Sequence, residues 1–303
     1  MSNAPPLIDA RQLTKRYGTQ RGILELTFQV QPGEVFGYLG PNGAGKTTTI
    51  RTMLDLIRPT SGSVSLFGLD AHERSVEVHR QVGYLPGEFA LYEHLTGRDY
   101  LAYFAELRGG ADPAFVDALA KQLDSDLDAR ISTLSHGNKQ KLGLIQAFMH
   151  RPRLLILDEP TQGLDPLIQQ EFHTMVWDAR DAGQTVFLSS HVMPEVERVC
   201  DRVGIIREGS LVEVADVGAL KAKAVRTLEL HFAEPVPREA FAGLPGVSDL
   251  EVHGDVVRCA VAGPMDAVIK VAARYELLDL ESHEPTLEDI FLRFYGREGA
   301  DAS

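Results

Sequence analysis

An α/β domain built on a parallel sheet, followed by a small α+β domain, is the architecture this sequence predicts, and three observations predict it. The run "GEVFGYL" passes without a break into "GPNGAGKTTTIRTMLDLI": strand, glycine-rich loop, helix, the order that a phosphate-binding loop requires. Further on, the strand-like runs "RLLILDEP", "TVFLSS" and "RVGIIREG" carry the helix "LIQQEFHTMVWDARDAG" between the first two, and strands alternating with helices build a parallel sheet. After residue 224 the order becomes strand "RTLELHF", short helix "REAFAGL", strand "SDLEVHG", strand "DVVRCAV", helix "MDAVIKVAARY" and strand "LLDLES". That is βαββαβ, the split βαβ arrangement of ferredoxin-like domains.

The elements follow in chain order. From about residue 6 to 75, short β-like runs such as "GILELTFQV" are separated by Gly and Pro turns. Between about 88 and 150 the pattern turns helical. "DYLAYFAELRG" sets Leu101, Phe104 and Ala105 on one face, and "NKQKLGLIQAFMH" repeats Leu142, Ile145 and Met149 at helical spacing. The expected organisation is therefore a first domain over 6–222 with a helical insertion at 88–150, an accessory α+β domain over 225–296, and a fraying tail at 297–303.

Composition excludes several classes of function. With 44% hydrophobic and 24% charged residues the chain can bury a core, so disordered and disulfide-scaffold classes are out. The 43 acidic residues outnumber the 30 basic ones, giving a net charge of −13, and no dense Lys/Arg run offers a nucleic-acid face. The strongest apolar run, "LLIL" at 154–157, is strand-sized, too short for a membrane span. The first residues, "MSNAPPLID", show neither the basic start nor the apolar core of a secretory signal. Cys200 and Cys259 read as small core residues in a reducing cytosol.

The chemistry concentrates in three motifs. "GPNGAGKT", from Gly40 to Thr47, satisfies GxxxxGK[ST]. Its glycines let backbone N–H groups wrap phosphates, Lys46 reaches the terminal ones, and the Thr47 hydroxyl is available to Mg²⁺. "LLILDEP" is an apolar strand ending in Asp158 and Glu159, where one carboxylate can hold Mg²⁺ and its neighbour can orient the attacking water. "LSHGNKQKLGL" opens a helix whose first turn, with Ser135 and Gly137, suits a second anion.

Together "GPNGAGKTT", "LSHGNKQK", "LILDEPTQGLDP" and "LSSH" resemble the nucleotide-binding subunit of an ABC transporter, in that family's order, over about residues 7–222. The resemblance implies a phosphate-loop ATPase domain with a parallel sheet core, an antiparallel β part and a helical insertion. It implies ATP and Mg²⁺ as ligands, with Gly40, Asn42, Gly43, Ala44, Gly45, Lys46, Thr47 and Thr48 around the phosphates and Tyr17 stacked on adenine, a contact worth ~1–3 kcal/mol. It makes Lys46, Glu159 and His191 catalytic, His191 as the residue that senses the γ-phosphate, and it assigns Asp165 to the loop that signals between paired subunits. In this family two such domains pair head to tail, so Ser135, Gly137 and Asn138 would close over a partner's ATP. The implied partners are a second nucleotide-binding subunit, most simply a copy of this chain, and a separate membrane-spanning permease that holds the pair at the inner face of the membrane.

Two departures from the family pattern bear on the site. The signature has His136, Gly137 and Asn138 after its serine, where Gly, Gly, Gln is usual. In "VGYLPGEFALYEHLT" Gly87 stands where the family places a Mg²⁺-contacting glutamine; the next residue, Glu88, is the candidate replacement ligand, with a solvated loop charge as the alternative. The ending "EPTLEDIFLRFYG", together with "LSHGNKQKLGLIQA" and "YLPGE", is similar to the bacterial branch of drug- and lipid-exporting ATPases with separate permeases. The competing readings are a soluble ABC ATPase of non-transport function, acting on DNA or the ribosome, and a regulatory ATP sensor. The first usually carries a long coiled-coil insertion or a second cassette, and this sequence has neither.

Overall fold

The computed structural model describes residues 5–18, 20–223, 226–283 and 286–288. The chain divides into two compact units, Met1–Ala215 and Asp216–Ser303. This division falls ahead of the composition boundary near residue 224, because the helix at 217–223 groups with the second unit.

The first unit opens with β1 (Ile8–Tyr17), β2 (Gln20–Val30) and β3 (Val35–Leu39), followed by α1 (Lys46–Met53), β4 (Ser61–Leu66), β5 (Leu69–Asp70), α2 (Ser75–His79) and β6 (Val82–Leu85). Three helices come next, α3 (Gly97–Leu107), α4 (Pro113–Gln122) and α5 (His136–Phe148). β7 (Leu154–Asp158), α6 (Pro166–Asp181), β8 (Thr185–Ser190), α7 (Met193–Val199), β9 (Arg202–Arg207) and β10 (Ser210–Asp216) complete it.

Two sheets result. The antiparallel one runs β2-β1-β4-β5 and the larger one runs β10-β9-β3-β8-β7-β6, with β9, β3, β8, β7 and β6 paired in parallel. β3, β7 and β8 are buried along their whole length, which is why they read as nearly continuous apolar runs. The two sheets share one core, where Phe36 stacks on Phe187 at 5.7 Å and on Phe28 at 5.9 Å. Truncating one ring of such a stack costs about 3–5 kcal/mol.

The helical region is pinned to the sheet by Arg108, just past the end of α3. Its guanidinium donates to the carbonyl of Val82 at 3.0 Å and lies 3.0 Å from the ring of His150. Thr96 caps α3, Asp112 caps α4 and Ser135 caps α5, each side chain accepting from a backbone N–H of its first turn. Leu142, Ile145 and Met149 are buried as their spacing predicts, and Leu101 with them, whereas Leu107 is exposed.

The second unit holds α8 (Val217–Lys223), β11 (Arg226–Phe232), β12 (Val247–His253), β13 (Val256–Val261), α9 (Asp266–Ala272) and β14 (Leu277–His283). Its antiparallel sheet runs β12-β13-β11-β14, the strand order of a split βαβ domain. The helix expected at "REAFAGL" is only a 3-10 turn, Arg238–Ala240. Pro237 opens it, and Gly243 and Gly246, both at positive φ, leave no room for a longer one. Val268, Val271 and Ala272 of α9 pack on Leu228, Leu230 and Phe232. Cys200 and Cys259 are both free and buried, each within the core of its own unit. The tail at 297–303 and the motif "LEDIFLRFYG" extend beyond the described residues.

Burial, helped by the charge of Arg108, pushes the His150 imidazole down to about 4. The unfolded chain takes up this proton near pH 6.5 while the folded one stays neutral, so His150 lowers stability as pH falls from 6.5 towards 4. Thermal unfolding of His150→Gln at pH 7.5, 6 and 5 is expected to show a smaller loss of Tm on acidification than the parent chain.

Candidate functional site

The site begins where β3 ends. Gly40 leaves the sheet, the loop turns through Gly43 at φ 79° and Gly45 at φ 111°, and α1 starts at Lys46. Gly45 is obligatory, because a Cβ there would sit 2.9 Å from a methyl of Ile23 in a conformation that side chains avoid. Lys46 is 5% exposed; its Nζ donates to the carbonyl of Gly40 at 2.6 Å and lies 3.0 Å from Oε1 of Glu159. Tyr17, Asn42, Gly43, Gly45, Lys46, Thr47, Thr48 and Glu159 line one open cleft. Tyr17, 45% exposed at the end of β1, has the Lys15 ammonium 5.4 Å from the centre of its ring. Ala44 is buried beneath the loop and its carbonyl accepts from Gly209 N at 2.9 Å.

Parallel register brings the carboxylates to this cleft. Asp158, the last residue of β7, pairs with Ser189 of β8, which in turn pairs with Tyr38 of β3. Asp158 is fully buried, and the donors it has are neutral hydroxyls, Thr47 at 2.8 Å and Ser189. Glu159 turns out of the strand at φ 50°, held by its N–H on the carbonyl of Ser189 and by the Gln140 amide on its own carbonyl. Its two carboxylate oxygens have separate partners: Oε1 faces Lys46, and Oε2 lies 2.8 Å from Nδ1 of His191. A carboxylate only accepts, so Nδ1 is the nitrogen that donates to Glu159.

Ser135, Gly137, Asn138 and Asp165 do not line this cleft. Ser135 Oγ caps α5 by accepting from Asn138 N at 3.3 Å. Gly137 lies so close to the loop after Glu159 that a Cβ would come within 2.6 Å of the Gly163 carbonyl. Asp165 caps α6, accepting from Leu167 N and Ile168 N at 3.1 Å each.

The donor set suits a divalent cation. A hydroxyl and a carboxylate, both hard oxygen donors, meet at Thr47 and Asp158, and among the described residues no cation pairs with this buried carboxylate. The loop after β6 approaches the same point, since a Cβ on Gly87 would lie 3.3 Å from Asp158 Oδ2. Glu88 itself is exposed beside it. Among the described residues no group of three or more His, Cys, Asp or Glu forms a metal cage.

Sequence reasoning passes over Ser189, Ser190, Gln140 and Glu195. The serines stand in the quoted "LSS", and their roles follow only from strand register. Gln140 and Glu195 reach the site through helix packing, which leaves no local signal in the sequence.

A loop that cradles phosphates, a buried lysine, paired strand-end carboxylates and a histidine on the second of them define a nucleotide-binding subunit of the phosphate-loop class. The family of ABC transporters matches residues 23–162. The bacitracin transport ATP-binding protein BcrA of Bacillus licheniformis is 34% identical over 302 residues, 96% of this chain and 97% of that protein. The Nod factor export ATP-binding protein I of Burkholderia pseudomallei (strain 1710b) is 37% identical over 310 residues, 99% of this chain and 100% of that protein. A solved ATP-binding subunit of an ABC transporter superposes with a TM-score of 0.65 at 30% identity, over 71% of this chain and 92% of that one. A bacterial ABC transporter cassette solved as a dimer, 19% identical with a TM-score of 0.64, shares the fold over 69% of this chain and 98% of that one. The chain belongs to the ABC transporter family, as an ATP-binding subunit. Such subunits are ATPases coupled to transport. No helix among the described residues is long and apolar enough to cross a membrane.

Gly45→Ala forces a side chain into the left-handed region against Ile23, a strain of about 1–3 kcal/mol. The variant is expected to lose at least tenfold in ATP affinity, read by titration calorimetry, with a lowered Tm.

Proposed function

We propose that this subunit hydrolyses ATP to drive export of a small molecule or lipid through a separate permease. The observation that carries the chemistry is the Glu159 carboxylate held between Lys46 and His191. Lys46 and Glu159 neutralise one another at 3.0 Å. Entry of a triphosphate offers Lys46 a stronger anionic partner, which frees Glu159 Oε1 to accept a proton from the attacking water. His191 steadies the other oxygen and presents its second nitrogen towards the γ-phosphate side. The P-loop backbone and Lys46 then stabilise the charge that develops on the transferring phosphoryl group. Thr47 and Asp158 would hold Mg²⁺, with Glu88 as the further oxygen ligand from the loop beside Asp158. When bound, the ion would neutralise charge on the terminal phosphates.

The capped N-terminus of the signature helix α5 is not among the residues that line the cleft of its own Lys46. This favours service to a second subunit, with Ser135, Gly137 and Asn138 closing on the partner's ATP and Asp165 in the loop between the two sites. Transport requires a membrane-spanning partner, so the pair would sit at the inner membrane face on its permease. The export assignment draws on the printed functions of the relatives, bacitracin transport and Nod factor export. The acidic balance, −13 overall, speaks against a nucleic-acid partner.

Glu159→Gln is expected to lower kcat by ~10²–10⁴-fold, the usual contribution of a positioned general base, while leaving ATP affinity within a few-fold. A parental rate in this variant overturns the assignment. The same variant, expected to keep ATP bound without turnover, is expected to shift in light scattering from the mass of one chain to two when ATP is added; a mass that stays at one chain rules out ATP-driven homodimer closure. Glu88→Ala is expected to raise the Mg²⁺ concentration needed for half-maximal ATPase activity, and an unchanged requirement returns Glu88 to a solvated loop charge.

A further inference from the structure

Behind Glu159 and His191 lies a second cavity, of about 430 Å³, whose lining also includes Thr161, His173 and Glu195. Glu195 is 6% exposed on α7, yet no Lys or Arg pairs with it among the described residues. Burial, above all, raises its carboxyl above the ordinary value. A fold keeps so costly a group only where another interaction offsets the desolvation.

That interaction is with Ser190. The Ser190 hydroxyl, fully buried at the end of β8, donates to Glu195 Oε2 at 2.7 Å and accepts from Val192 N at 2.9 Å. The two bonds span His191 on either side. A hydroxyl has one proton to give, and giving it to Glu195 aims a lone pair at Val192 N. The turn Ser190–His191–Val192 is thereby fixed from both ends, and this turn sets where His191 Nδ1 meets Glu159 Oε2 at 2.8 Å. Thr161, from the loop that follows Glu159, faces the same Glu195 carboxyl, so one group contacts both the segment after the general base and the segment that carries the histidine.

We propose that Glu195 is a positioning residue for the hydrolytic step: through Ser190 it locks the turn that holds His191 against Glu159. Its carboxyl accepts from Ser190 and acts on His191 through that serine. The inference rests on the roles given above to Glu159 and His191. It goes beyond them by assigning the buried carboxylate that keeps them aligned.

The test uses the full chain with four variants: Glu195→Ala, Glu195→Gln, Ser190→Ala and the double Ser190→Ala/Glu195→Ala. Two readouts are taken, the kcat and KM for ATP and the ring nitrogen NMR signals of His191, which require no turnover. Misplacing a catalytic group by about 1 Å costs on the order of 10²-fold. Glu195→Ala and Ser190→Ala are each expected to lower kcat by about 10- to 100-fold with KM unchanged, and to shift and broaden the His191 signals. The double variant is expected to match either single one, because both remove the same lock. Glu195→Gln keeps an oxygen that accepts from Ser190 and is expected to restore the rate and the parental His191 spectrum. The proposal is overturned if Ser190→Ala, a change of one hydroxyl, leaves both kcat and the His191 signals as in the parent. It is equally overturned if Glu195→Gln is as damaging as Glu195→Ala. Glu159→Gln is the control: if it fails to perturb His191, the Glu159–His191 pairing itself is wrong, whereas perturbation by Glu159→Gln alone removes only the role of Glu195.

Discussion

Everything in the ATP site hangs on the register of three parallel strands. Tyr38, Ser189 and Asp158 lie in one row across β3, β8 and β7, so the strands end together and release their following residues at the same edge of the sheet. Parallel strands that share an edge in this way open a crevice at their carboxyl ends, and ligands bind there. The phosphate loop leaves β3, the two carboxylates close β7, and His191 follows β8. A slip of one residue in β8 would turn Ser189 away from Asp158 and carry His191 off Glu159. The stacked rings of Phe28, Phe36 and Phe187 in the core beneath resist such a slip.

Charge is the second constraint. Lys46 is almost wholly buried, and its ammonium is satisfied by a loop carbonyl and by Glu159. Removing one partner of a buried pair costs about 3–5 kcal/mol because the other is stranded. The site therefore has to exchange the partner of Lys46 rather than lose it, and phosphate is the anion that its loop is shaped to admit. In the function proposed above, substrate entry and activation of Glu159 as the general base become one event. His191 and the buried Glu195–Ser190 pair work on the other side of Glu159, where no charge is exchanged and only geometry is held.

The second unit shows a different balance. Its sheet buries one face under α9 and turns the other, with Arg258 bonded to Glu229 at 2.7 Å across the strands, towards solvent. Antiparallel strands with one wet face alternate buried and exposed positions, as β11 and β13 do here. The short element before β12 was harder to read, because a run of suitable side chains between proline and glycines has too few residues to close more than one turn.

By itself the sequence determined the phosphate loop, the strand-end carboxylates, the helical face of Leu142, Ile145 and Met149, and the order of the four strands and of α9 in the second unit, because each is written in contiguous residues with a fixed period or spacing. Only the tertiary structure decided which strands are neighbours, and with that the meeting of Thr47 with Asp158, of Lys46 and His191 with opposite oxygens of Glu159, and of Ser190 with Glu195. Hydrogen bonds and ion pairs act over about 3 Å of space without regard to separation along the chain, so contacts between residues 111 positions apart, as Thr47 and Asp158 are, leave no periodic trace in the sequence.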